Sequence, residues 1–100
     1  MIEQTLSRAD PAISVVIPTY RRADRIPRLV DALAKQTLPP DRFEVIVVDD
    51  GSGDGTWYLL LDAASRTPFS LRPMHTDTNS GPATTRNLGW EAALAPIVAF

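Results

Sequence analysis

Apolar residues follow two alternating patterns along this chain: short runs rich in β-branched residues, and longer segments with helical spacing. Residues 13–17 and 43–48 form two such runs and are predicted strands. The second run is apolar on both faces, as in a parallel strand covered on both sides. Four apolar residues follow the i, i+3, i+4, i+7 spacing of one buried helical face: Ile26, Leu29, Val30 and Leu33. The pattern predicts alternating strands and helices.

Prolines and small polar residues predict where these elements begin and end. Pro18 has no N–H to donate to a sheet and is expected to end the first strand. Asp24 and Thr56 are the expected N-caps of the first and second helices. Two prolines at 39–40 prevent the first helix from continuing, and Pro68 is expected to stop the second.

The second half of the chain repeats the alternation. It contains a weaker strand over residues 69–76, a helix over 82–95 and the start of a fourth strand over 97–100. Pro73 lies inside the third strand, which favours a position at the sheet edge. Gly89 costs about 1 kcal/mol relative to Ala within a helix. It is therefore expected to mark close packing or the close approach of a ligand.

The order β-α-β-α-β-α-β predicts an α/β fold, a parallel Rossmann-like sheet with right-handed crossovers and helices on both faces. Residues 1–12 are polar and aperiodic and are predicted to be a flexible leader. Residues 13–100 form one domain without repeats or linkers. The fourth strand stops almost as soon as it starts, so we expect a domain truncated at that point.

Composition narrows the range of functions. The chain is 44% apolar and 22% charged, as in a globular protein. Its ten cationic side chains are scattered and its net charge is −2, which argues against nucleic-acid binding. The absence of Cys and the single His75 exclude metal sites built from those residues. No apolar run reaches the roughly 18 residues of a transmembrane segment. The expected compartment is the cytoplasm, with a membrane surface reached only through regions outside this sequence.

Two adjacent acids, Asp49 and Asp50, follow the second strand and precede a loop with glycines at 51, 53 and 55. Ligands of open α/β sheets bind beyond the carboxyl ends of the strands. The pair is therefore either a binding site or the polar end of a strand. The sequence lacks the glycine motif of dinucleotide folds, the P-loop and the nucleophile elbow. A phosphoacceptor receiver would carry its acidic pair after the first strand and a further Asp after the third, where Asp77 is only a loose match, so the pattern disfavours that interpretation.

Three segments in order carry a more specific pattern: VVIPTYRR at 15–22, VVDDGSGDGT at 47–56 and NSGPATTRNLG at 79–89. Together they resemble the nucleotide-sugar-binding half of a family 2 glycosyltransferase, an inverting enzyme of the GT-A fold. The resemblance implies sugar transfer from a UDP- or GDP-linked donor to an unknown acceptor. The alternative is a non-catalytic nucleotide-binding or interaction module.

The resemblance implies roles for residues on the base side of a donor pocket. Pro18, Thr19 and Tyr20 would line the pocket for base and ribose. Asp50 would accept a hydrogen bond from a ring N–H of the base, which suits an ionised carboxylate. Asp49 would either join this pocket or hold the following loop in place.

On the phosphate side, the resemblance implies that Arg86 faces the diphosphate. Gly81 and the start of the third helix would let backbone N–H groups approach phosphate oxygens. Arg21 or Arg22 would also reach a phosphate. Thr85 stands where relatives commonly have Ala, a small change. Arg86 on a solvated helix face is the alternative that the sequence leaves open.

The resemblance further implies Mg²⁺ or Mn²⁺ on the diphosphate of the complete enzyme, held by an acidic D-x-D motif directly after a strand such as 97–100. A catalytic base lies beyond that motif. Neither is in this sequence, so no catalytic residue or metal ligand is predicted here. We expect a donor-binding half that is inactive alone. Asp54 is expected to form a turn, Trp57 to pack, and His75 to have no role.

Overall fold

The structure, a computed structural model, describes residues 11–99. The predicted leader covers residues 1–12, and residues 1–10 of it lie outside the described range. The elements in chain order are β1 (Ile13–Thr19), α1 (Ile26–Lys35), β2 (Phe43–Asp50), α2 (Thr56–Ala64), β3 (Ser70–Thr76), α3 (Pro82–Ala92) and β4 (Ile97–Ala99). Short 3-10 turns, Ala23–Arg25 and Pro40–Arg42, precede α1 and β2.

The four strands form one parallel sheet in the order β3-β2-β1-β4. The predicted α/β architecture with a parallel sheet is therefore confirmed. β2 lies inside the sheet, and all eight of its residues are buried, as its two-sided apolar pattern predicts. β3 lies at an edge, which is where a strand containing Pro73 was expected.

Each face of the sheet has its own apolar core. One core includes Val45 and Val47 of β2 and the buried side chains of α1 and α2, such as Ile26 and Leu60. The other lies beneath α3 and contains three buried residues: Val16, Ile46 and Val48. Successive residues of a strand point to opposite faces. The alternation of β2 therefore continues into its acidic end and places Asp49 and Asp50 on opposite sides of the sheet.

Several predicted boundaries are wrong by a few residues. β1 continues through Pro18 to Thr19. It pairs with β2 on both sides of Pro18, from Ile13 to Thr19, so one missing N–H does not end the strand.

The helix starts also differ from the prediction. Asp24 lies in the 3-10 turn, and the residue before α1, Arg25, provides no side-chain cap. α2 begins at Thr56 itself, and the residue before it, Gly55, has a left-handed backbone. The capping oxygen comes instead from Asp54, whose Oδ1 accepts from the Thr56 N–H at 3.1 Å. The turn role expected for Asp54 agrees with this contact.

A buried polar network at the amino edge of the sheet was not predicted. Glu44 is 1% exposed. It accepts hydrogen bonds from Ser14 Oγ at 2.5 Å, the Leu94 N–H at 2.7 Å and Arg72 Nη1 at 2.7 Å. Ser14 Oγ in turn accepts from the Ala95 N–H at 3.1 Å. These contacts hold residues 94–95 against the sheet, which explains why α3 ends at Ala92 and not at 95.

Candidate functional site

The carboxyl ends of β1 and β2 and the start of α3 enclose a cleft of about 320 Å³. Its lining comes from three chain segments: Pro18, Thr19, Tyr20 and Arg22; Asp50; and Asn79, Gly81, Pro82 and Thr85. The structure thus brings together most of the residues predicted from the sequence. It leaves Asp49, Arg21 and Arg86 outside the lining.

A second depression, about 490 Å³, lies between α1 and α2. It is larger than the cleft, but it lies between two helices on one face of the sheet and not at the carboxyl edge. Its lining is mostly aliphatic, with groups such as Ile26, Val30 and Ala63. Ligand sites combine an apolar surface with a few convergent polar groups, and in α/β sheets they lie at the carboxyl edge. The smaller cleft meets both conditions and is the candidate site.

Asp50 is the one acidic residue in the lining of this cleft and is only 4% exposed. Its Oδ1 accepts from the Ser80 N–H at 2.7 Å and from Thr76 Oγ1 at 2.8 Å, and its Oδ2 accepts from the Gly81 N–H at 2.8 Å. Burial raises the pKa of Asp50, but the hydrogen bonds from Ser80, Thr76 and Gly81 outweigh it and hold the pKa below its usual value. A carboxylate oxygen has two lone pairs, so Oδ2 can accept one further hydrogen bond.

The start of α3 faces the same cleft. Gly81 precedes the helix with φ 96°, and its N–H is occupied by Asp50. Pro82, the first helical residue, has no N–H. The N–H groups of the next two residues, Ala83 and Thr84, are the ones that α-helix geometry leaves without a partner in the helix. They are therefore the donors that this helix end can offer to an anion.

Asp49 lies on the other face of β2 and is 3% exposed. Its Oδ1 accepts a hydrogen bond from the hydroxyl of Ser52, which itself accepts from the Arg21 N–H at 2.7 Å. These contacts agree with the alternative in which Asp49 holds the following loop in place. A role for Ser52 was not predicted from the sequence. The pattern that could have indicated it is a small hydroxyl residue between two glycines, three positions after Asp49.

The three arginines expected near phosphate have different surroundings. Arg21 extends along Tyr20, donating from Nε to the tyrosine hydroxyl at 3.1 Å, with its guanidinium 5.6 Å from the ring centroid. The hydrogen bond to Tyr20 raises the pKa of Arg21, which keeps its charge. Arg22 lines the cleft. Arg86 is exposed on α3 next to Thr85 and makes no hydrogen bond or ion pair within the described chain.

The adjacent acids do not form a metal site. Asp49 and Asp50 lie on opposite faces of β2, and each is held by its own set of hydrogen bonds. Between residues 11 and 99, no three His, Asp or Glu side chains come together as metal ligands would. The described residues therefore offer no group of three such ligands to a divalent cation.

Comparison with known proteins gives one consistent family. The sequence model of Glycosyl transferase family 2 matches residues 14–100. Glycosyltransferase AglE of Haloferax volcanii is 36% identical over 90 residues, which are 90% of this chain and 29% of that protein. The poly(ribitol-phosphate) beta-N-acetylglucosaminyltransferase TarS of Staphylococcus aureus is 40% identical over 88 residues, 87% of this chain and 15% of TarS. This chain thus spans less than a third of the length of these relatives.

Solved structures show the same fold. A mannosyltransferase from Pyrobaculum calidifontis, in complex with GDP-Man and Mn²⁺, matches 89% of this chain and 26% of its own, with 32% identity and a TM-score of 0.82. TarS of S. aureus in complex with UDP-GlcNAc matches 86% of this chain and 24% of its own, with 37% identity and a TM-score of 0.77. Within residues 11–99 of this chain, no helix combines the length and apolar character needed to span a membrane.

Proposed function

This chain belongs to glycosyl transferase family 2, and we propose that it is the donor-binding part of an enzyme that transfers a sugar from a UDP- or GDP-linked donor to an acceptor. The observation that carries the proposal is the buried carboxylate of Asp50, which lies at the carboxyl edge of the sheet with acceptor capacity left on Oδ2. Two similar proteins of known structure hold a GDP-sugar and a UDP-sugar. Residues 13–100 would form the donor-binding part of a longer domain, and transfer would be inverting.

The base of the donor would lie between β1 and α3. Asp50 would accept from the ring N–H of the base, because an ionised carboxylate offers acceptors only. Pro18, Thr19 and Tyr20 line the same cleft and would contact the base and ribose. Uracil and guanine both present a ring N–H donor, so this contact alone would not choose between them.

The diphosphate would lie near the start of α3. The free N–H groups of the first helical turn and the positive end of the helix dipole favour an anion there. Arg22 lines the cleft, and Arg86 is an exposed cation one residue beyond Thr85. Arg21 would act from further away, since its guanidinium lies on Tyr20.

The chemical step would depend on groups beyond residues 13–100. We expect Mg²⁺ or Mn²⁺ in the complete enzyme, where it would neutralise charge on the leaving diphosphate. We also expect a separate base for the acceptor hydroxyl, so the chain alone would bind donor without turning it over. We also propose that this enzyme acts in the cytoplasm.

Calorimetric titration of the full-length protein against UDP, GDP, ADP and CDP, followed by the corresponding nucleotide sugars, tests this function. We expect saturable binding of UDP or GDP and weaker binding of ADP and CDP. Acceptor-independent hydrolysis of the matching sugar donor would then identify the sugar. Failure of every nucleotide to bind a folded protein would overturn the proposal in favour of an interaction module.

A further inference from the structure

We propose that the glycine-rich loop, residues 51–55, is a positioning element for the donor cleft and not a phosphate-binding loop. In this assignment Ser52 and Asp54 are positioning residues that hold the neighbouring β1 loop, residues 20–23, in the conformation that forms one side of the cleft. The inference rests on the proposed nucleotide-binding function. It concerns residues that the cleft lining does not include.

The first contact between the two loops is made by Ser52. Its side chain is 2% exposed and cannot reach a ligand from solvent. Its hydroxyl accepts from the Arg21 N–H at 2.7 Å and donates to Asp49 Oδ1. Asp49 is the seventh residue of the eight-residue β2, inside the sheet. The backbone of Arg21 is thus fixed to the sheet through one buried hydroxyl.

The hydrogen bond to Ser52 holds a residue whose backbone conformation is unfavourable. Arg21 has φ 53° and is the one non-glycine residue with positive φ within the described chain. A left-handed backbone costs an L-residue about 1 kcal/mol or more and persists where surrounding contacts hold it. The residues on either side, Tyr20 and Arg22, both line the cleft. The bend at Arg21 therefore determines where two lining side chains lie.

A second contact is made two residues later. Asp54 Oδ2 accepts from the Ala23 N–H at 3.4 Å, while Oδ1 accepts from the N–H and the hydroxyl of Thr56. The hydrogen bond from Thr56 lowers the pKa of Asp54, so the acceptor is ionised at neutral pH. The β1 loop is thereby joined to the glycine-rich loop at two alternate backbone N–H groups, those of Arg21 and Ala23.

The glycine-rich loop also contacts the opposite side of the cleft. A Cβ atom on Gly51 would lie 2.7 Å from the carbonyl carbon of Thr78. Thr78 is two residues from Ser80, whose N–H binds Asp50. Residues 51–55 therefore contact both the β1 loop and the segment before α3, and each of these two segments contributes residues to the cleft. The polar side chains of this loop, Ser52 and Asp54, are thus directed at protein groups and not into the cleft.

The test is a double-mutant cycle in the full-length protein, read by calorimetric affinity for UDP or GDP and for the matching nucleoside. Ser52→Ala removes the hydroxyl, and we expect about fivefold weaker binding of both ligands, as for one lost neutral hydrogen bond. Gly adopts φ 53° without strain, so in an Arg21→Gly background the Ser52 hydroxyl should contribute less to ligand affinity. Ser52→Ala is expected to cost less than about twofold in that background. Ser65→Ala, at an exposed serine far from the cleft, is the control.

The results of this cycle distinguish a positioning role for Ser52 from the absence of one. Equal losses from Ser52→Ala in both backgrounds, or no loss in either, would overturn the positioning role. If Ser52→Ala does not fold, Asp54→Ala provides a second measurement, because Asp54 is exposed and its carboxylate accepts from Ala23 on the same loop. Undiminished nucleoside affinity in a folded Asp54→Ala protein would overturn the inference. If the wild-type protein binds neither UDP nor GDP, the proposed function fails first, and the inference fails with it.

Discussion

A Cβ atom placed on Gly89 would lie 2.3 Å from Cγ1 of Val16. α3 therefore crosses β1 at a distance that only glycine permits, and Gly89 is buried at that contact. This confirms the close packing that was one of two sequence-based explanations for a glycine in this helix. It also fixes how far α3 lies from the sheet, and with it the position of the helix start at the donor cleft.

Gly89→Ala is expected to destabilise the fold even though Ala is the better helix former by about 1 kcal/mol. Overpacking in a core costs about 1–3 kcal/mol, and Val16 is fully buried at the point of contact. After subtracting the helix-propensity gain, we expect a net loss of up to about 2 kcal/mol in denaturant unfolding. Val16→Ala combined with Gly89→Ala should recover part of the loss. Asn87→Ala, exposed on the same helix, is the control, and a stabilised Gly89→Ala protein would contradict the packing argument.

Asp50→Asn is expected to weaken UDP or GDP binding by about 1.5–3 kcal/mol, as for loss of a hydrogen bond to a charged group. The amide also turns one of its donors toward the Ser80 or Gly81 N–H, which should lower the free energy of unfolding. Calorimetric titration measures the first effect and thermal unfolding the second. Asp77→Asn, at a 97% exposed acid, is the matched control. Unchanged affinity in a folded Asp50→Asn protein would remove Asp50 from the site.

Arg86→Ala is expected to weaken binding of the nucleotide diphosphate by about 1 kcal/mol more than binding of the nucleoside. Stability should be unchanged, because the Arg86 side chain is exposed and makes no hydrogen bond or ion pair within residues 11–99. Arg28→Ala, at an exposed arginine on α1, is the control for net charge. Equal losses for diphosphate and nucleoside would show that Arg86 does not meet phosphate.

Glu44→Gln is expected to cost about 2–4 kcal/mol of stability at pH 7, because it leaves Arg72 and buried donors without their charged acceptor. Burial raises the pKa of Glu44, but the hydrogen bonds from Ser14, Leu94 and Arg72 outweigh it and lower the pKa below its ordinary value of 4.5. Its contribution is thus fully present above pH 4.5 and is lost as pH falls through the lower folded pKa.

Urea unfolding across pH 3–7 measures this difference. The gap between wild type and Glu44→Gln should be constant near neutrality and should narrow below the ordinary glutamate pKa. Glu91→Gln, at an exposed acid on α3, should change neither the stability nor its pH dependence. A gap that stays constant down to the lowest pH would mean that the ionised form of Glu44 is not the stabilising one.

The alternation of strands and helices was predictable, and so was membership of family 2, because both depend on patterns that are local in sequence. The residues that the sequence misjudged depend on distant partners. Pro18 was expected to end β1, but β1 continues to pair with the distant strand β2 through Pro18 to Thr19. Asp50 was expected to accept from the base, and Asp49 either to join the pocket or to hold the following loop. Strand alternation places them on opposite faces, and only the partners Ser52 and Gly81 show what each carboxylate contacts.

The hydrogen bond between Ser14 and Ala95 joins groups 81 positions apart. Of the four described strands β1 is synthesised first, and it gains β4 as its second neighbour last. At a synthesis rate of about 5–20 residues per second, its apolar edge waits on the order of 5–15 s for that partner. Such non-local parallel pairing also folds slowly once synthesis is complete. The nascent chain therefore passes through an interval in which β1 is open to pairing with other chains or to capture by chaperones.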